Sequence, residues 1–198
     1  MPRRFAIPDT RLPFVNAEIA QVEFQGCPAL VSSIWRAGGG RLYFWDPESG
    51  QRGMRALPEG IPGAYFLRTG PDGRLYLGCG NGVLARYDPG RDAFDRLVTG
   101  ELDGICWGGA ISGRRVFWNA SRRGVSGAVG VYDLDSGRIV KILSPVDGQT
   151  PHALYGHCAL NAPDGRIAWV FNVPQARLIV IDPSALTARS VVPPGLEG

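Results

Sequence analysis

Short apolar runs, each bounded by turn residues, recur along the chain. Three of them directly follow a glycine-containing turn: Leu75-Tyr76-Leu77, Val116-Phe117-Trp118 and Ile167-Ala168-Trp169-Val170. Runs of this length, rich in Val, Ile, Leu and aromatic residues, are typical of β-strands. No segment keeps a 3.6-residue apolar period between two capping signals, so the pattern predicts an all-β fold.

Two turn signatures return at a nearly constant spacing. An aromatic or aliphatic residue precedes Asp at Trp45-Asp46, Tyr87-Asp88, Tyr132-Asp133 and Ile181-Asp182, so the aspartates stand 42, 45 and 49 residues apart. Upstream lie Pro71-Asp72-Gly73-Arg74, Ser112-Gly113-Arg114 and Pro163-Asp164-Gly165-Arg166, with Gly26 in the same place in the first unit. Glycine supplies the positive φ of a tight hairpin, and Asp accepts a hydrogen bond from the backbone two residues on.

Each unit is predicted to form four antiparallel strands. The predicted strands are 17–24, 29–35, 40–46 and 52–57; 64–70, 74–79, 83–88 and 93–98; 104–111, 114–119, 128–133 and 138–143; and 153–161, 166–172, 177–182 and 187–192. Four-stranded units at this spacing predict a β-propeller with four blades in this chain. A sandwich or barrel is the alternative, although neither needs the same turns to return so regularly.

The predicted domain organisation is an N-terminal arm, residues 1–16, followed by the propeller at 17–198. Its units are 17–60, 61–102, 103–150 and 151–198. Within the arm, Phe5-Ala6-Ile7-Pro8 is similar to the end of the first unit and predicts a lone outer strand at 4–8. This surplus strand indicates an incomplete ring of a larger propeller or a four-bladed ring with a spare arm. Open blade faces would favour self-association.

Composition narrows the function classes. The 198 residues carry 21 Lys and Arg against 18 Asp and Glu, a net charge of +3, with 44% hydrophobic residues, which is a globular composition. The arginines are spread along the chain, so nucleic acid is not a predicted partner. No apolar run is long enough to span a membrane, and the first residues lack the apolar core of a signal peptide, so a cytoplasmic location is expected. Four separate cysteines, Cys27, Cys79, Cys106 and Cys158, favour free buried thiols, with two disulfides as the alternative.

The repeat units resemble a group of bacterial propellers. D-G-R-L-Y-L…A-R-Y-D-P and D-G-R-I-A-W-V…I-V-I-D-P are similar to units of streptogramin lyases, gluconolactonases and the NHL and YVTN propellers, across residues 17–192. The resemblance implies a propeller fold. The lyase pattern D-G-x-[LI]-W-F-T-E ends in an acid that Leu75-Tyr76-Leu77-Gly78 lacks. The Glu, Asn and Asp that hold a divalent metal in gluconolactonases have no residue-by-residue match here.

In a propeller, the loops that join the fourth strand to the next blade and the second strand to the third share one face. This face, the mouth, is predicted to gather loops 58–63, 99–104 and 144–152 with 36–40, 80–82, 120–127 and 173–176. The predicted ligand-binding residues are Glu59, Asn81, Glu101, Trp107, Asn119, Asp147, Tyr155 and Asn172. They would suit a hydroxylated ligand or a divalent cation, whose ligands are oxygens. The alternative is that these loops are polar because they are exposed to solvent, and that the aromatic residues pack between blades.

The two histidines are given different roles. His152 follows Pro151 in the longest loop and, with Asp103, forms the predicted catalytic pair, because a histidine near carboxylates is a candidate general base. His157 is predicted to pack between blades. Two histidines five residues apart on a strand point to opposite faces, so a shared metal is not expected.

Two functions of different classes follow. The favoured hypothesis is a ligand-binding or protein-interaction module, with a small polar ligand or a protein as partner. The alternative is an enzyme, a metal-dependent lactonase or a streptogramin-type lyase, acting at the mouth of the channel. The sequence contains no GxSxG, no HExxH and no phosphate-binding glycine loop, which favours the module.

Overall fold

The computed structural model describes residues 15–34, 39–61, 63–122, 125–144, 156–171 and 177–192. These residues form sixteen strands and one short 3₁₀ turn at Gly80–Gly82. The strands are β1 (Val15–Phe24), β2 (Cys27–Ile34), β3 (Arg41–Trp45), β4 (Arg52–Ala56), β5 (Ala64–Thr69), β6 (Leu75–Cys79), β7 (Leu84–Asp88), β8 (Ala93–Val98), β9 (Gly109–Ser112), β10 (Arg115–Arg122), β11 (Val125–Asp133), β12 (Arg138–Leu143), β13 (Gly156–Asn161), β14 (Ile167–Phe171), β15 (Arg177–Asp182) and β16 (Thr187–Val191). The predicted all-β architecture is confirmed.

The strands form four antiparallel sheets of four, each a meander of consecutive strands. We call them blade 1 (β1–β4), blade 2 (β5–β8), blade 3 (β9–β12) and blade 4 (β13–β16). The first strands, β1, β5, β9 and β13, are the inner strands, since they contact one another in sequence and border one cavity. The prediction of four four-stranded blades is confirmed.

The turns have the chemistry that the sequence predicts. Gly73, Gly113 and Gly165 adopt φ of 73°, 55° and 84° in the first hairpins of blades 2, 3 and 4. In the last hairpin of blade 1, the Asp46 carboxylate accepts a hydrogen bond from the Glu48 backbone N–H at 2.8 Å. Asp88, Asp133 and Asp182 accept equivalent bonds from backbone N–H groups two or three residues on. Local turn chemistry therefore fixes where each blade reverses.

The core consists of three apolar clusters, one between each pair of consecutive blades. Phe44 and Tyr87 join blades 1 and 2. Tyr76 and Trp118 join blades 2 and 3, and the third cluster lies between blades 3 and 4. Each blade thus has a front face toward the next blade and a back face toward the previous one. Among the described residues, no cluster joins blade 4 to blade 1.

The predicted strand bounds need two corrections. The inner strand of blade 3 begins at Gly109 instead of 104, because the preceding residues pair with the neighbouring blade: Gly82 N–H donates to Gly104 O at 2.7 Å, and Cys106 N–H donates to Cys79 O. Much of the predicted loop 120–127 is strand, since the ladder continues to Arg122 opposite Val125. The predicted outer strand at 4–8 lies outside the described residues.

Candidate functional site

The mouth end of blades 1 and 2 contains a pocket of about 450 Å³. Glu59 and Asn81, two of the predicted ligand-binding residues, line it together with Arg41. Leu57 and Ile61, both buried, supply its apolar wall. The pocket therefore combines an acid, an amide and a guanidinium over an apolar wall.

Backbone geometry holds these pocket loops in place. Leu57 N–H donates to Gly40 O at 2.9 Å, and Gly40 N–H donates to Ile61 O at 3.4 Å. The Arg96 guanidinium of blade 2 donates to the Glu59 carbonyl oxygen. Asn81 stands at φ 60° inside the 3₁₀ turn, a conformation that asparagine tolerates better than most residues. The carboxylate of Glu59 and the amide of Asn81 are thus carried on backbone fixed by hydrogen bonds.

The second mouth loop joins blade 2 to blade 3. Glu101 and Asp103 are exposed there, while Leu102 between them is buried and anchors the loop. Trp107 is half-buried, and its ring centroid lies 5.3 Å from that of Tyr65. Burial raises the pKa of the Tyr65 phenol. The pair forms a half-covered aromatic surface, and Trp107 follows the two exposed acids along the chain.

Asn119 lies inside blade 3. Asn119 is fully buried. Its side-chain Oδ1 accepts a hydrogen bond from the Gly108 backbone N–H at 3.0 Å, and its backbone N–H donates to the Gly108 carbonyl oxygen at 3.1 Å. Its Nδ2 has no hydrogen-bond partner among the residues that the structure describes. The side chain thus extends the β9–β10 ladder toward the mouth, and its oxygen is already engaged.

A second cavity, of about 680 Å³, lies among the four inner strands and marks the channel. Arg68 lines it and forms a two-point pair with Glu18, at 2.9 Å for Nη1–Oε2 and 3.2 Å for Nη2–Oε1. Glu18 also accepts from Leu67 N–H at 2.8 Å. Burial raises the pKa of Glu18, against the opposing charge of Arg68. Sequence reasoning missed this pair, because Glu18 lies in the least regular unit and has no counterpart in the repeat.

Other charges near the turns are engaged in ion pairs. In blade 2, Asp88 Oδ2 accepts from Arg74 Nε at 2.8 Å and from Arg91 Nε at 3.0 Å. Hydrogen bonds from these two guanidinium groups hold the pKa of Asp88 well below its usual range. Asp95 pairs with Arg86 and Arg91. This network closes the last hairpin of blade 2 and lies away from the mouth.

Several predicted site residues lie outside the described part of the chain: Asp147, His152, Tyr155 and Asn172. The role of His157 is likewise untested, because its side chain is not described. Within the described residues, no three His, Cys, Asp or Glu side chains converge as a metal site would require. The catalytic pair and the divalent cation therefore stay predictions. All four cysteines are free thiols, as predicted. Cys79 and Cys106 are buried, but the expectation of burial is wrong for Cys27, which is half-buried, and for Cys158, which is exposed.

The four meander blades around a shared cavity define a β-propeller fold. No protein-family model and no curated protein matches the chain. A chain in the crystal structure of the mitotic checkpoint complex is similar at 15% identity and a TM-score of 0.58, over 90% of this chain and 55% of that one. Selenomethionine-substituted virginiamycin B lyase from Staphylococcus aureus is similar at 12% identity and a TM-score of 0.66, over 91% of this chain and 57% of that one.

Likeness at this level of identity shows the fold alone. The chain spans little more than half the length of these two propellers. In the described ranges, no helix is both long and apolar enough to span a membrane.

Proposed function

We infer that the chain is a propeller binding module that takes a small polar ligand, or a polar segment of a protein partner, at the mouth pocket of blades 1 and 2. The observation that carries this inference is the meeting of Glu59, Asn81 and Arg41 in one concavity. The volume of about 450 Å³ lies within the usual range for ligand pockets, roughly 300–1,000 Å³.

The chemistry of the pocket selects the kind of ligand. A carboxylate accepts hydrogen bonds, a guanidinium donates them, and an asparagine amide does both. A ligand with hydroxyl groups, or a peptide segment with both donors and acceptors, satisfies all three. The apolar wall of Leu57 and Ile61 suits the carbon face of such a ligand. One propeller neighbour is part of a protein complex, which supports a protein segment as one of the two ligand types.

The test is saturation-transfer NMR with a panel of hexoses, polyols and dipeptides, followed by titration of any binder. Glu59→Gln and Asn81→Gly should each weaken binding about tenfold or more, because each removes hydrogen-bonding groups from the ligand. Glycine is chosen at 81 because it keeps the positive φ.

Glu48→Gln is the matched control, since Glu48 is an exposed acid in a hairpin at the opposite end of blade 1. It should leave binding unchanged. A panel without a binder, or a binder indifferent to both pocket variants, would contradict the proposed site.

The enzyme hypothesis has a test of its own. A metal-dependent lactonase would carry stoichiometric Ca, Mg, Mn or Zn, and would lose it in His152→Ala or Asp103→Ala. A streptogramin-type lyase is favoured only by the shared fold of virginiamycin B lyase. Metal analysis of purified protein, with thermal shifts on adding each cation, decides between module and metalloenzyme.

A further inference from the structure

Among the described residues, blades 1 and 4 each have one face with exposed apolar side chains on which no other blade packs. The repeat places equivalent residues in each blade, so the exposure of a residue can be compared with that of its counterparts. The residue before the turn aspartate is at most 6% exposed in blades 2, 3 and 4, as Tyr87, Tyr132 and Ile181. Its counterpart Trp45 in blade 1 is half-buried. In the part of the chain that the structure describes, no neighbouring blade packs on this side of blade 1, as one does at the equivalent position elsewhere.

The neighbouring strand shows the same difference. Leu75, Val116 and Ile167, which stand opposite those residues, are all 0% exposed. Leu30, which stands opposite Trp45, is half-buried. Met54 and Ile19, on the same face of blade 1, are 49% and 63% exposed. This face also carries exposed polar residues, since Gln21 stands opposite Leu30 and Arg52 opposite Trp45, so it is apolar only in part.

The front face of blade 4 is uncovered in the same way. Val31, Tyr76 and Phe117 on the front faces of the earlier blades are fully buried, whereas their counterpart Ala168 in blade 4 is half-buried. On blade 4, Leu160 is 70% and Val170 48% exposed. Ala168 pairs with Leu160 and Val180, and Val170 pairs with Cys158 and Leu178, so one face carries a continuous apolar surface.

We propose that the front face of blade 4 packs on the back face of blade 1 of a second copy of this chain, so that two copies close one ring head to tail. Among the described blades, blade 4 presents a front face and blade 1 a back face that no other blade covers, and these are the two kinds of face that pair at the three internal contacts. Two such contacts use both free faces of both chains. Every face of the described blades would then pack on another blade.

Blade number supports two copies over other numbers. Propellers have about four to eight blades, so two chains of four blades reach the upper end of that range, and three would exceed it.

The area of the two blade faces is also sufficient for a stable contact between two copies. Four strands about 4.8 Å apart and five residues long, at about 3.3 Å per residue, give a face of roughly 300 Å² before side-chain relief. Each chain contributes two faces. The total approaches the roughly 800 Å² per partner of a stable interface once side chains are included.

Closure by a second copy would also complete the channel. Ile19 and Leu160, from the two uncovered faces, both border the 680 Å³ cavity. Blades of the partner would therefore enclose the side of the channel that this chain leaves open. This inference does not depend on the mouth pocket, which lies between blades 1 and 2 of a single chain.

The test is sedimentation velocity of the whole chain from about 1 to 100 μM. We expect a species of twice the 21.3 kDa chain mass. Val170→Asp on the front face and Met54→Asp on the back face should each weaken association at least about 100-fold, because each buries an unpaired carboxylate. Val140→Asp is the control, since Val140 is 39% exposed but lies on the outer strand of blade 3.

Mixing the two variants gives the sharpest result. The intact front of the Met54→Asp chain can pack on the intact back of the Val170→Asp chain. The mixture should therefore form a two-copy species that neither variant forms alone. Urea unfolding of each variant as a monomer checks that its fold is retained.

Three outcomes would overturn the proposal. A wild-type chain that stays monomeric to 100 μM would show that these faces do not bind a second copy. Dissociation by only one of the two face variants would indicate a contact between like faces. Equal dissociation by Val140→Asp would show that association does not use the blade faces.

Discussion

Replacing Gly78 by alanine should destabilise the protein although the backbone tolerates alanine there. Gly78 lies in β6 and does not have positive φ. A methyl group at this position would overlap the Phe66 ring and the Cys106 sulfur. Both residues are fully buried between blades 2 and 3. The loss of stability is therefore steric. It is partly offset, because alanine leaves the unfolded chain less conformational freedom than glycine does.

The magnitude follows from how little the ring can move. A Cβ on Gly109 of blade 3 would meet Phe66 Cζ at 2.6 Å, so the ring already occupies the space over two glycines. Overpacking a core by one methyl costs about 1–3 kcal/mol, and the upper end applies where neighbours cannot retreat. Reduced freedom of the unfolded chain returns about 0.4–1 kcal/mol. The net loss is about 2 kcal/mol, or a Tm lower by about 4–8 °C for a chain of this size.

The assay is urea unfolding followed by circular dichroism, with calorimetry for Tm. Gly90→Ala is the matched control, because its Cβ would meet only Asp88 Oδ1, at 3.4 Å. It should be neutral or slightly stabilising. Adding Phe66→Leu to Gly78→Ala should cost less than the two separate changes combined, since the smaller side chain frees the space. If Gly78→Ala lies within about 0.5 kcal/mol of Gly90→Ala, the steric argument fails.

Two further predictions concern titration and thiol reactivity. Because the folded-state pKa of Asp88 is depressed by Arg74 and Arg91, its stabilisation is present above about pH 4 and is lost as the pH falls below that. The stability gap between wild type and Asp88→Asn should therefore be widest at pH 6 and shrink progressively as the pH is lowered from about 4 toward 2, and a gap that stays constant over that range in urea unfolding would contradict this. In alkylation followed by mass spectrometry, Cys158 should react first and Cys79 and Cys106 only on unfolding, since burial raises the pKa of Cys79 to about 12. Cys158 should become protected at concentrations where two chains associate, and unchanged labelling would count against a covered front face.

The hairpins were predictable from sequence because their chemistry is local. Asp46 and Asp88 bind backbone N–H groups only two or three residues away, and Gly73 supplies its own φ. Strands beside such turns come out nearly as predicted, for example β12 and β15. Strand ends far from these turns do not. The start of β9 is set by contacts with the loop at 80–82 of another blade.

The candidate site was predictable in part, for the same reason. Loop membership places Glu59 and Asn81 at the mouth, and the structure brings them to one pocket. Side-chain direction is a property of packing, so nothing in the sequence indicates that Asn119 turns inward. The pair of Glu18 with Arg68 joins residues 50 positions apart, beyond any local signal. Gly78 and Gly109 are different, because their sequence does carry a local signal: glycine inside a strand often marks a place where another group packs closely on the backbone.

The core is divided into three clusters, one between each pair of consecutive blades. Each blade is therefore stabilised mainly by its neighbours along the chain, and folding should proceed blade by blade. In a single copy, at concentrations too low for two copies to associate, blades 2 and 3 are each stabilised from two sides and blades 1 and 4 from one, as in repeat proteins whose stability is a sum of nearest-neighbour terms. Amide hydrogen exchange should then be slowest in β6 and β10 and faster toward β2 and β14. Fraying would start at the outermost blades and move inward, so partly folded forms that keep only the central blades should be populated before the whole chain unfolds.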